Sequence, residues 1–310
     1  MMRKILHKVF YILSLTPLSI LYLLSDFLTF LLYRVFKYRR SIVMENLSIV
    51  FPEKTDAEKE KIAKKFYQNI ADSLVETFKM ISASERLIER MFVFDQSLLD
   101  LFSGTDKKIQ IHAMHNFNWE VVNLAISRHF KMPFLGVYQP LKQPFFESLF
   151  TKIRTRYGTV LIPANDFKNN FIPYQDQQYI IALVADQNPK KIANAWWVDF
   201  FGRPTAFTKG PEAAAMISNN RIVFGNFFKV KRGIYSCTAT WVTDDPASLA
   251  PGELTLKYIQ FLEKCIRERP DNYLWSHRRW KHEYKDEFRN LRLISKDQLP
   301  SDSAIAASQG

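Results

Sequence analysis

The chain has 310 residues, 47% hydrophobic and 24% charged, with a formal net charge of +12. That balance excludes a disordered or collagen-like polymer, and the length suffices for one large α/β domain or two small ones. Cys237 and Cys265 lie far apart without metal-ligand spacing, so they build no disulfide framework and favour a reducing, cytoplasmic setting.

Residues 9–33 are almost entirely apolar, interrupted mainly by Pro17 and Asp26. About 20 apolar residues span a bilayer, but an acidic group at mid-membrane is costly. A tilted span, a re-entrant segment, an interfacial helix and a buried core helix all satisfy this pattern. The stretch is too long for a signal peptide and no small-residue cleavage site follows it. Basic residues flank both ends, and the cluster Arg34, Lys37, Arg39 and Arg40 is the denser. With both ends basic the positive-inside rule leaves the orientation open, and the denser later cluster favours a cytoplasmic main domain. The 15% aromatic content, with 26 Phe, suits a Phe-rich core or a surface seated in lipid. The expected organisation is an anchor over 1–40, a catalytic domain over 41–296 and a disordered, small and polar tail over 297–310.

Residues 55–80 predict one long helix, with Ile62, Phe66, Ile70, Leu74 and Phe78 as its apolar stripe and Thr55 with Glu58 as a capping box. From there strands and helices alternate. Strands are expected at 108–113, 134–138 and 179–185, and a strand pair at 221–228 and 234–242. Helices are expected at 119–130, 144–157, 209–218 and 252–269. This order predicts an α/β fold in which helices flank a mixed central sheet.

The chemistry is concentrated in Met114-His115-Asn116-Phe117-Asn118-Trp119-Glu120. His115 falls in the loop past a strand's carboxyl end, where α/β sheets hold their ligands. Asn118 is a natural N-cap and Glu120 lies in the first turn of the next helix. The positive helix end favours a neutral imidazole, and a carboxylate beside it steadies the imidazolium formed during proton transfer. His115 as general base and Glu120 as its partner is therefore the expected pair. A lone His beside a Glu is also a common structural arrangement.

This segment resembles the H-x-x-x-x-(D/E) motif of the glycerolipid acyltransferases, and more narrowly the H-F-G-N-W-E box of the lipid A biosynthesis (late, or secondary) acyltransferases. Four later segments agree with that family. They are Arg154-Thr155-Arg156-Tyr157-Gly158, Asp186-Gln187, the stretch from Phe200-Phe201-Gly202-Arg203-Pro204 to Thr208, Gly210 and Pro211, and Trp275-Ser276-His277-Arg278-Arg279-Trp280-Lys281. The chain departs at Asn116 and Phe117, where the family carries Phe-Gly. The resemblance covers almost the whole chain.

The resemblance implies a glycerolipid-acyltransferase-like fold and direct transfer of an acyl chain from acyl carrier protein, or from coenzyme A, to a hydroxyl of a lipid A precursor. It implies no cofactor and no metal. The partners would be acyl carrier protein, a membrane lipid acceptor and the inner-membrane surface, with no nucleic acid. Arg154 and Arg156 would hold a phosphate or polarise the carbonyl; the alternative is a helix-end Arg favoured by the dipole. Asn118, Asp186 and Arg279 complete the expected substrate-binding set, although Asp186 could simply end a strand and Arg279 could snorkel at an interface. No G-x-S-x-G elbow offers an acyl-enzyme route. A zinc site of His112, His115 and Glu120 is the rival enzymatic arrangement, and a membrane- or nucleic-acid-binding module the non-enzymatic one. Another acceptor, such as a lysophospholipid, an aminolipid or a glycosylated phospholipid, is compatible with the same motifs.

Overall fold

A computed structural model describes residues 2–102, 105–192, 195–288, 291 and 293–294. Helices α1 (Met2–Ser14) and α2 (Leu18–Phe30) open the chain, and α2 runs on through a π turn at Leu31–Val35. Then come α3 (Arg40–Val50), α4 (Asp56–Lys79), α5 (Glu85–Met91), β1 (Phe92–Phe94) and α6 (Gln96–Phe102). The alternating part follows as β2 (Ile109–Ala113), α7 (Trp119–His129), β3 (Phe134–Tyr138), α8 (Pro144–Arg154), β4 (Val160–Pro163), α9 (Phe167–Phe171) and β5 (Ile180–Val184). The last part holds β6 (Ala195–Phe200), β7 (Arg203–Thr208), α10 (Gly210–Ser218), β8 (Arg221–Lys231), β9 (Ile234–Thr243), α11 (Glu253–Glu268) and β10 (Leu293–Ile294). The tail expected at 297–310 lies outside the described residues.

Among the described residues, seven strands form one mixed sheet in the order β1-β9-β8-β2-β5-β3-β4, and β10-β6-β7 form a second. The strands from β8 to β4 are parallel to their neighbours; β9 alone runs antiparallel to β8. Every residue of β2 is buried, Gln110 and His112 included. Both faces of this central strand are covered, so its alternation marks chemistry and not exposure. Gln110 Nε2 lies 2.7 Å from His112 Nε2 and 2.7 Å from the Pro211 carbonyl of α10. The Phe200-Phe201-Gly202-Arg203 box is a two-residue hairpin turn between β6 and β7, with φ of 52° at Phe201 and 74° at Gly202. That is the left-handed pair a tight hairpin requires.

Helix α4 begins with the expected capping box, Thr55 with Glu58. Its burial is broader than one apolar stripe: Leu74 is exposed, whereas Asp72 and Glu76 are fully buried. Two neighbours on different sides explain this. Ser25 Oγ of α2 donates to Asp72 Oδ1 at 2.6 Å, and Lys229 Nζ of β8 lies 2.5 Å from Oδ2. Arg232, in the β8–β9 turn, bonds both Asp72 and Asp26. The acidic residue that interrupts the apolar N-terminal run thus has a cationic partner in the β8–β9 turn.

Leu18–Val35 has a mean hydropathy of 1.6, is 22% buried, and is long and apolar enough to cross a membrane. One face packs on α4. The other exposes Ile20, Leu23, Leu24, Phe27 and Phe30. Gly233 closes the contact from the hairpin side. Its φ is +75°, and a Cβ there would lie 2.5 Å from Tyr22 Oη. Gly233→Ala should therefore cost about 1–2 kcal/mol from backbone strain alone, read as a lower urea midpoint with an unchanged m-value.

Candidate active site

Parallel pairing of β2 with β5 sets Ala113 opposite Val184. Two residues beyond each strand end stand His115 and Asp186, at the same rim of the sheet. The His115 ring Nδ1 lies 2.6 Å from Asp186 Oδ1, and the His115 backbone N–H donates to Oδ2 at 3.1 Å. Both carboxylate oxygens are therefore engaged by one residue, which fixes the loop as well as the ring. The imidazole side chain is 38% exposed and the carboxylate 2%.

Burial alone would depress the imidazole's pKa, but the charge of Asp186 and its hydrogen bond outweigh that, and His115 is raised above its ordinary value. Burial likewise opposes the Asp186 carboxylate. The charge of His115, the bonds from its ring and backbone, and the Arg279 charge together hold Asp186 below the usual range. With Nδ1–H committed to Asp186, Nε2 is the free basic nitrogen.

His115 borders a cavity of about 630 Å³, walled also by Trp119, Tyr138, Arg154, Phe167 and Phe227. A narrower apolar chamber of about 100 Å³ shares the walls Trp119, Val137, Val184 and Phe227 with it and runs between α7 and the sheet, past Phe102, Cys237 and Ala239.

The expected partnership of His115 with Glu120 is replaced by the one with Asp186. Glu120 is buried in the first turn of α7 and accepts from Arg154 Nη2 at 2.9 Å. Arg154 stacks over the Trp119 ring at 4.2 Å and reaches the cavity wall. It is the one basic residue of the expected set that meets the His115 cavity. Arg156 turns the other way, its guanidinium donating to the carbonyls of Met80, Ile81 and Ala83 and closing the end of α4. Asn118 does cap α7, with φ +57° and Oδ1 accepting from Val121 N–H, and its Nδ2 donates to Glu76 Oε2 at 2.6 Å. Its side chain is thereby taken up within the fold. Arg279 is buried, donates to Asn188 Oδ1 and the Ala206 carbonyl, and lies 4.0 Å over Phe207. It sits behind Asp186 as a fixed positive charge and offers nothing to a lipid surface.

The zinc arrangement is not assembled. His112 is buried among Gln110, Phe224 and Tyr258, with burial pushing its pKa down to about 3, while Glu120 is held by Arg154. Among the described residues no cluster of three or more His, Cys, Asp or Glu side chains could hold a metal ion. At the departure from the family box, Phe117 is buried against Phe66 and Asn116 Nδ2 donates to the Phe227 carbonyl. The longer side chains thus brace the loop on α4 and β8.

Residues 5–282 match the model of the bacterial lipid A biosynthesis acyltransferases. The chain belongs to that family. This acyltransferase is 25% identical over 272 residues to the lipid A biosynthesis lauroyltransferase of Escherichia coli (strain K12), covering 86% of each chain. It is 22% identical over 250 residues to the palmitoleoyltransferase of the same strain, covering 79% of each. A lipid A biosynthesis acyltransferase of Haemophilus influenzae is 24% identical over 251 residues, 80% of this chain and 79% of that one.

Proposed function

We propose that this acyltransferase moves a fatty acyl chain from a carrier-protein thioester to a hydroxyl of a lipid A precursor, with His115 as general base and Asp186 as its orienting carboxylate. The observation that carries this is the His115–Asp186 pair at the mouth of a cavity with an apolar annex.

The steps balance without a further reagent. Nε2 of neutral His115 takes the acceptor hydroxyl's proton as its oxygen attacks the thioester carbonyl carbon. A C–O bond forms and the carbonyl electrons move onto oxygen, where the Arg154 guanidinium on the cavity wall is the available cation. Collapse breaks the C–S bond, and the leaving thiolate takes the proton back from the imidazolium. Lipid ester and free thiol result. Coenzyme A thioesters undergo the same steps.

The apolar face of α1 and α2, beside Lys8, Arg34 and Lys37, suits an anionic leaflet, and the proposed location is the cytoplasmic side of the inner membrane. The narrow chamber past Phe102 and Cys237 is the proposed seat of the donor chain. Ala239→Leu should then shift donor preference toward shorter chains by about tenfold or more in relative kcat/KM, measured by mass spectrometry of products from an equimolar donor mixture.

The deciding experiment incubates purified protein with acyl carrier thioester and lipid A precursor, and follows the acceptor's mass. A gain of one acyl group, matched by loss of that group from the lipid A of cells lacking the gene, is expected. Transfer to lysophospholipid alone would move the acceptor out of lipid A; no transfer to any lipid would end the proposal.

A further inference from the structure

A second cleft, of about 600 Å³, adjoins the first. Lys190 Nζ on its wall donates at 3.0 Å to Gln139 Oε1, which lines the His115 cavity. Its rim carries Arg39, Lys190, Arg278 and Lys281 together with His277 and His282, and among the described residues none that line it is acidic. None of the four cations has a carboxylate partner within the described residues. Arg39 spends one guanidinium nitrogen on the Ser276 carbonyl, and Lys190 spends a proton on Gln139. The cluster is held in place rather than gathered by chance. Asn188 donates to the Arg278 carbonyl at 2.7 Å and accepts from Arg279 at 2.8 Å, tying the Asp186 loop to the 277–281 segment. Arg39 itself sits at φ +51°, a left-handed position that costs a non-glycine residue energy.

Four unneutralised cations around one concavity repel one another, and an anion relieves that repulsion. The buried His277 Nδ1 at the same cleft has no hydrogen-bond partner in the protein, and so fits a bound polar group. Burial first and the surrounding positive charge after it push His277 down to about 4, and His282 below its ordinary value for the same two reasons. Both rings are neutral at pH 7, leaving the arginines and lysines as the charge that attracts.

We infer that this cleft binds a phosphate ester carried by one of the two substrates, and so registers that substrate against His115. Planar guanidiniums beside mobile ammonium groups suit phosphate oxygens. The Lys190–Gln139 bond places the anion one side chain away from the reaction cavity. That the phosphate arrives on a substrate rests on the acyl-transfer function proposed above; the anion site itself stands on the cleft's geometry. The ester is either a phosphomonoester of a glycolipid acceptor or the phosphodiester of a carrier protein's pantetheine arm.

The test uses full-length protein in detergent micelles and the double variant Arg278→Ala/Lys281→Ala, two exposed residues outside the His115 cavity. Inorganic pyrophosphate should raise the melting temperature of the parent and not of the variant. In the transfer assay the variant should raise KM about tenfold for the substrate that brings the phosphate, with kcat nearly unchanged. Its dephosphorylated counterpart should show no change: dephosphorylated glycolipid for one source, acyl-pantetheine for the other. An unchanged pyrophosphate response, or a KM that rises equally with and without the phosphate, overturns the inference. If the parent acylates no lipid A precursor, the proposed function falls, and the pyrophosphate titration still decides whether the anion site exists.

Discussion

Asp186→Asn should lower kcat by roughly 10³–10⁴-fold at neutral pH, close to the effect of removing the His115 imidazole altogether. The carboxylate accepts from Nδ1 and so fixes the tautomer in which Nε2 is unprotonated. An amide can instead donate to Nδ1, which moves the proton to Nε2 and leaves no base facing the cavity. The pH profile carries the sharper signature. Because the Asp186 charge and hydrogen bond raise the His115 pKa, the acid limb of kcat/KM in the parent should lie above the ordinary imidazole value, activity rising as His115 loses its proton. Without that charge, burial acts unopposed and the residual activity should inflect at lower pH. A His115→Ala variant should show no limb from this group. If Asp186→Asn leaves both plateau and inflection in place, Asp186 only ends its strand.

The place of His115 at the sheet's rim was legible because its motif is local, and its contact with Asp186 was not because that pairing is long-range. His115 announces itself within seven residues: a strand, a polar loop and a capped helix. Asp186 follows 71 residues later, and only the adjacency of β2 and β5, in register at Ala113 and Val184, brings the two together. Sequence periodicity identifies both strands and says nothing of their order in the sheet. Arg156 misled for a related reason. Its spacing from Arg154 looks like one functional unit, yet it lies past the end of α8, where the chain turns, and it reaches back to α4. The strands β1 and β4 escaped because three or four residues carry too few alternations to register. The long helix at 55–80 was found, but its breadth of burial depends on α2 and the β8–β9 turn, neither of which lies near it in sequence.

The same geometry connects the N-terminal helices to the chemistry. Buried Glu76 accepts from Tyr22 of α2, from Asn118 at the head of α7 and from Tyr235 of β9. Its pKa is raised by burial, against the pull of those donors. The cap that begins the helix after His115 is thus held by a carboxyl that also grips the apolar N-terminal segment. The position of α2 and the shape of the loop after His115 are therefore coupled through one carboxyl group.

Glu120→Ala should destabilise the fold by about 3–5 kcal/mol and lower turnover by about 10²–10³-fold, without moving the acid limb of the pH profile. Both side chains of the Glu120–Arg154 pair are nearly inaccessible, at 7% and 11% exposure, so removing the carboxylate strands a desolvated guanidinium. Trp119 holds one face of Arg154, and its Nε already lacks a partner; the protein has little else to offer it. The loss therefore divides between folding, read in urea melts, and catalysis, because the displaced Arg154 is the cation of the cavity wall. Glu120→Gln keeps an acceptor for Arg154 and should recover most of the stability and part of the rate. The contrast with Asp186→Asn separates two carboxylates that a motif alone cannot rank. A shifted inflection in Glu120→Gln, with none in Asp186→Asn, would return Glu120 to the imidazole and leave Asp186 as scaffold. The opposite pattern is expected, because the coupling that moves a base's pKa comes from the charge touching its ring, and that charge belongs to Asp186.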